Sequence, residues 1–172
     1  MLRTKIILFL ISFCFISKLS YSQEETYKEP KGTNNCFVEL GGAGLFYSIN
    51  YEKYLYKSFN EKLTWTGRIG GGYNPIPYRL LNSVYLEDES FMFPFTSSIF
   101  YGNRKERIEI GAGYTLLTQD FSSNQVIPTF ILGFRVTETN GTFFRVAYTP
   151  HLRDNVLVTW FGVSIGRNFN FK

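Results

Sequence analysis

Arg107-Ile108-Glu109-Ile110-Gly111-Ala112-Gly113-Tyr114-Thr115-Leu116 alternates with a period of two. Ile108, Ile110, Ala112, Tyr114 and Leu116 share one face. Arg107, Glu109, Gly111, Gly113 and Thr115 share the other, which is the side-chain geometry of a strand.

The same split recurs outward from this stretch. Over residues 62–73, Leu63, Trp65, Ile69 and Tyr73 oppose Lys62, Thr64, Thr66, Arg68, Gly70 and Gly72, with Gly67 and Gly71 interrupting the apolar side. Phe130, Leu132, Phe134 and Val136 oppose Gly133, Arg135 and Thr137. Phe144, Val146 and Tyr148 oppose Arg145, Ala147 and Thr149. Asn140-Gly141 between these two runs is a type I′ hairpin signal. In the last strand Phe161, Val163, Ile165, Phe169 and Phe171 oppose Gly162, Ser164, Gly166, Asn168 and Asn170, and Arg167 is an exception on the apolar face. Residues 37–42 and 45–55 read as a hairpin around Gly42-Ala43-Gly44, and residues 91–101 as a further strand. No window after residue 22 sustains helical spacing. The expectation is eight strands in an all-β chain.

The links near Gly102-Asn103-Arg104 and at Asn140-Gly141 are tight, whereas residues 74–90 and 118–125 read as longer connections. Short turns at one end and longer loops at the other fit an antiparallel up-and-down transmembrane barrel. Alternation alone also fits a soluble lipocalin-like barrel. Volume decides: eight strands enclose little more than their own side chains. The Gly, Ser and Thr face fits such a lumen and the aromatic face does not, so the aromatics are expected to meet lipid.

That choice places Glu39, Glu52, Arg68, Arg107, Glu109, Arg135 and Arg145 inside, where isolated charge is costly. They are expected to pair in an Arg/Glu network that plugs the lumen. Tyr47, Tyr51, Tyr54, Tyr56, Tyr73, Tyr101, Tyr114 and Tyr148 lie near strand ends, where interfacial girdles belong.

Before the strands, Arg3 and Lys5 precede an apolar run over residues 6–16, too short for a span of ~20 residues. Ser20-Tyr21-Ser22 follows with small residues where a signal peptidase reads, so residues 1–22 read as a cleaved signal peptide. Residues 23–35 read as a flexible segment and 36–172 as the barrel. The whole chain holds 18 basic and 14 acidic residues. Removing Arg3, Lys5 and Lys18 leaves 15 against 14, a net charge of +1, so the basic balance carries no message about partners. With no Lys/Arg run, nucleic-acid binding has no support. Cys14 falls within the signal, and Cys36 alone remains, which excludes an internal disulfide and a cysteine zinc cluster.

The strand grammar of Val38-Glu39-Leu40-Gly41-Gly42, Tyr47-Ser48-Ile49-Asn50-Tyr51-Glu52, residues 108–113 and Trp160-Phe161-Gly162-Val163-Ser164-Ile165-Gly166 resembles the small eight-stranded outer-membrane barrels of Gram-negative bacteria. The resemblance is in particular to the short tyrosine- and glycine-rich type common in Bacteroidota. The resemblance implies an outer-membrane location, contact with outer-membrane lipid and lipopolysaccharide, and insertion by the barrel assembly machinery. It implies no activity. Such barrels end on an aromatic residue, whereas here Phe171 is followed by Lys172.

Catalytic signals are absent. His151, the single histidine, reads as a loop residue after the seventh strand. The His-x-Ser spacing of acyl-removing barrels fails because Arg153 stands at the serine position, and pairing with Asp154 gives no more than two neighbours. Gly41-Gly42-Ala43-Gly44 and Gly70-Gly71-Gly72 lack the lysine ending of a phosphate loop. Asn140-Gly141-Thr142 is a turn before it is a sequon. No cofactor and no metal is expected. The best candidate surface is the loop bearing Pro75, Ile76, Pro77, Tyr78, Arg79, Leu80 and Leu81, which would bind a partner or lipopolysaccharide, or fold over the mouth. A structural or binding barrel, a narrow conduit and a lipid-modifying enzyme are the three classes, in that order.

Overall fold

A computed structural model describes residues 32–60, 62–74, 78–80, 84–86, 90–103, 105–119, 123–153 and 156–170. Residues 1–22, read as a signal peptide, residues 23–31, and Pro75, Ile76, Pro77, Leu81, Asp154, Phe171 and Lys172 lie outside them.

Alternating residues build twelve strands: β1 (Asn34–Gly41), β2 (Tyr47–Lys57), β3 (Leu63–Asn74), β4 (Tyr78–Leu80), β5 (Val84–Leu86), β6 (Ser90–Gly102), β7 (Glu106–Gln119), β8 (Ser123–Thr137), β9 (Thr142–Tyr148), β10 (His151–Arg153), β11 (Val156–Val158) and β12 (Phe161–Phe169). Eight close a barrel in the order β1-β2-β3-β6-β7-β8-β9-β12, and β12 pairs back onto β1 with every contact antiparallel. β4 and β5 pair as a hairpin within the 74–90 connection, and β10 and β11 form another that continues β8 beyond the end of β9. These two hairpins were not legible as strands, because three-residue runs carry too little periodicity.

Parity divides the wall. Ile49, Ile110, Phe134, Val146 and Val163 are each about half exposed or more on the outside. Thr64, Glu109, Arg135, Arg145 and Ser164 are buried inside. Cross-strand ring pairs Tyr73–Phe91, Phe95–Tyr114 and Tyr148–Phe161, with centroids 5.1–5.7 Å apart, stiffen the outer surface. No helix among the described residues is long and apolar enough to cross a membrane, which does not bear on crossing by strands.

Two expectations need correction. The connection at 118–125 is not long: β7 runs to Gln119 and β8 starts at Ser123. Nor do all large aromatics face outward, since Phe37, Phe100 and Phe143 are buried in the lumen.

Candidate functional site

The lumen is filled in three tiers. At the short-turn end Arg135 spans the barrel to Glu52, with Nη1 and Nη2 each 2.7–2.9 Å from a carboxylate oxygen. Its guanidinium lies between the Phe100 and Phe143 rings, 4.2 and 4.4 Å from their centroids. A planar, weakly hydrated cation is suited to such stacking, and this explains why phenylalanines occupy a charged lumen. Asn35 donates to Glu52 at 2.6 Å and accepts from Asn168, whose amide also donates to the Gly32 carbonyl. An amide ladder thus joins β12 to the chain entering β1.

In the middle tier Arg145 donates through Nε and Nη2 to Glu109 at 2.5 and 3.1 Å, and through Nη1 to Glu39 at 2.6 Å. Ser164 Oγ accepts from Arg145 Nη1 and donates to Glu39 Oε1, each at 3.3 Å. Glu39 is shared: Arg68 also ion-pairs with it and donates to Asn50 Oδ1. Phe37 sits beneath both arginines and meets Phe143 edge-on at 5.6 Å. Arg107 is buried beside Arg135 in the β7–β8 register, as Arg135 is beside Arg145 in the next. Three neighbouring strands therefore present arginines side by side, and the acids of β1, β2 and β7 offset their repulsion.

The third tier is the β1–β2 turn, which folds into the barrel. Gly41 and Gly42 have φ 73° and 67°, a region open to glycine, and carry the chain inward. Gly42, Ala43 and Gly44 are buried, and the Phe46 amide donates to the Gly44 carbonyl at 2.9 Å across Leu45. With φ 64° and ψ −68°, Leu45 occupies the rare, strained form of the γ-turn. Its side chain joins Met92, Leu117 and Ile127 in an apolar cluster at the long-loop end. Three donors hold the turn's carbonyls: His151 Nε2 on Gly42 at 3.2 Å, Thr115 Oγ1 on Ala43 at 2.6 Å and Trp160 Nε1 on Leu45 at 2.8 Å.

His151 is therefore no solvated loop residue; it is buried in β10. A carbonyl only accepts, so Nε2 carries a proton, and Nδ1 lies 2.8 Å from the Thr129 hydroxyl. Both ring nitrogens are engaged in tethering the turn. No group of acids, histidines and cysteines that could hold a metal exists among the described residues. In the 74–90 connection Tyr78, Arg79 and Leu80 form β4, whose backbone pairs with β5.

A reversal of the usual ranking tests the strained turn. Leu45→Ala and Leu45→Gly both empty the cluster, at a cost of ~2–5 kcal/mol, but glycine also relieves ~1 kcal/mol of positive-φ strain. Leu45→Gly should accordingly be the more stable of the two in urea titrations of the vesicle-inserted protein.

Eight antiparallel strands, closed on themselves, apolar outside and polar within, define the architecture of an outer-membrane β-barrel. The Yersinia pestis outer membrane protein Ail, whose backbone structure was obtained in a phospholipid bilayer nanodisc, matches with a TM-score of 0.53 and 12% identity over 81% of this chain and 100% of that one. At that identity the likeness is one of fold. No family model and no curated protein matches.

Proposed function

We propose that this chain is a non-enzymatic outer-membrane barrel with a structural or surface-binding role, its lumen closed by the arginine–glutamate network and the inserted β1–β2 turn. The observation that carries the reading is the continuity of the filling: Arg135–Glu52, then Arg145 with Glu109 and Glu39, then the tethered turn. A half-exposed apolar wall around a charged, side-chain-filled interior suits lipid outside and no solute path inside. Short turns belong on the periplasmic side and the longer 74–90 and 149–160 connections outside the cell. A lipid-modifying role draws no support from His151, whose ring faces inward and is engaged on both nitrogens.

Fractionation of expressing cells tests the location. The full chain should appear in the outer membrane as a band whose gel mobility shifts on boiling; a soluble, heat-insensitive periplasmic protein would overturn the reading. Conductance tests the closure. In planar bilayers the wild type should show no steady current. Arg68→Gln and Glu109→Gln should lower the urea midpoint without opening a current, whereas an increase would favour the narrow-conduit class.

A further inference from the structure

The buried arginines have acid partners or neighbours inside the lumen; two cations on the outer surface differ. Arg167 and Lys53 are exposed, project from the lipid-facing parity of β12 and β2, and make no ion pair among the described residues. They flank β1 at the short-turn end: Cys36 is opposite Arg167 on one side, and Asn34 is opposite Lys53 on the other. By strand spacing and rise their Cα atoms are roughly 12 Å apart, within joint reach of one small group for two long side chains. Above them the column is apolar and exposed, with Ile165, Val38 and Ile49. Between them the Tyr51 hydroxyl donates to the Asn34 amide oxygen at 2.5 Å, closing the surface under the two cations. Among the described residues, the exposed acids at this end are Glu106 on β7, across the barrel from β1, and Glu138 in the β8–β9 turn, on the far side of β9 from Arg167.

We propose that the β12–β1–β2 face carries a phospholipid headgroup site, in which Arg167 and Lys53 bind the phosphate of an anionic lipid in the periplasmic leaflet. Arg167 interrupts an otherwise apolar column one step before Phe169. A guanidinium there needs an anion at the depth where hydrocarbon ends, and a lipid phosphate supplies one that accepts two parallel N–H bonds. Lys53 adds a point charge from the other side of β1. The outer face of β12, β1 and β2 holds no acid of its own among the described residues, with Glu39 and Glu52 turned into the lumen, so the bound phosphate is centred on β1 between the two cations. This inference rests on the membrane reading above and deepens it.

The full chain, inserted into phosphatidylethanolamine vesicles containing phosphatidylglycerol, is extracted and examined by native mass spectrometry. Wild type should retain one phosphatidylglycerol in preference to phosphatidylethanolamine. Lys53→Gln combined with Arg167→Gln should lower that occupancy about tenfold, and Lys53→Arg with Arg167→Lys should keep it. Lys62→Gln, an exposed lysine at the same end, should leave it unchanged. Boiling-sensitive gel mobility establishes that each variant is folded. Equal retention by wild type and the double glutamine variant overturns the site, as does displacement of the lipid by inorganic phosphate alone. A wild type that fails to insert at all would instead overturn the membrane reading.

Discussion

Replacing Arg145 with Met should destabilise the folded barrel by ~3–5 kcal/mol, the range found when one member of a buried ion pair is removed. Arg145 is 1% exposed and holds both Glu39 and Glu109. Its loss leaves Glu109 without its two charge-assisted bonds, while Glu39 retains Arg68. The side-chain volume is nearly kept, so the effect reports charge rather than packing. Urea titration of the vesicle-inserted protein, read by the fraction of heat-modifiable band, measures it. Adding Glu109→Gln should recover part of the loss, because the orphaned carboxylate is then neutral; a simple sum of the two losses would show that the residues act independently.

Gly42→Val should have an effect of similar size, at about 3 kcal/mol, through a different mechanism. Gly42 combines φ 67° with a position where any Cβ would run into the Glu39 carboxylate. A β-branched residue is therefore strained in backbone and also pushes on the acid that serves both Arg68 and Arg145. The inserted turn and the middle tier should fail together, read as a lower urea midpoint. Gly71→Ala is the matched control: nothing lies within 4 Å of a Cβ there, so it should be neutral or stabilising by up to about 1 kcal/mol. Equal loss at both positions would contradict the geometry.

Much of the wall could be read from the chain because a strand's period of two assigns a face to every residue. Residues 107–116 alone state which side is apolar, and an eight-stranded lumen's small volume states which side is inside. Parity says nothing, however, about which strand faces which across the barrel. That Glu39 meets Arg68 and Arg145, or that Glu52 reaches Arg135, depends on closure. The interior phenylalanines were missed for a related reason. Volume argued that large rings belong outside, yet Phe100 and Phe143 occupy space made by stacking on a flat cation, a contact between strands distant in the chain. The signal available was parity itself: Phe37 alternates with Val38, and Phe143 with Phe144, on the side of the charges. The inward turn was invisible because a left-handed Leu45 has no sequence signature. His151 was misplaced with it, since its burial depends on a carbonyl of that turn.

The seam between β1 and β12 ties the order of synthesis to the moment of completion. Every other wall strand can find a neighbour earlier in the chain, but β1, made first, waits for the last strand before its second edge is satisfied. The Glu39–Arg145 and Glu52–Arg135 contacts span 106 and 83 residues, so the interior charges also wait for late partners. Local pairing therefore cannot finish this molecule by itself, and loop closure over nearly the full chain precedes its most favourable contacts. A chain ending before Phe161 would leave β1 and β9 as open edges prone to pair with other copies. Pairing of the nine-residue β12 with both β1 and β9 is the contact that removes these two edges.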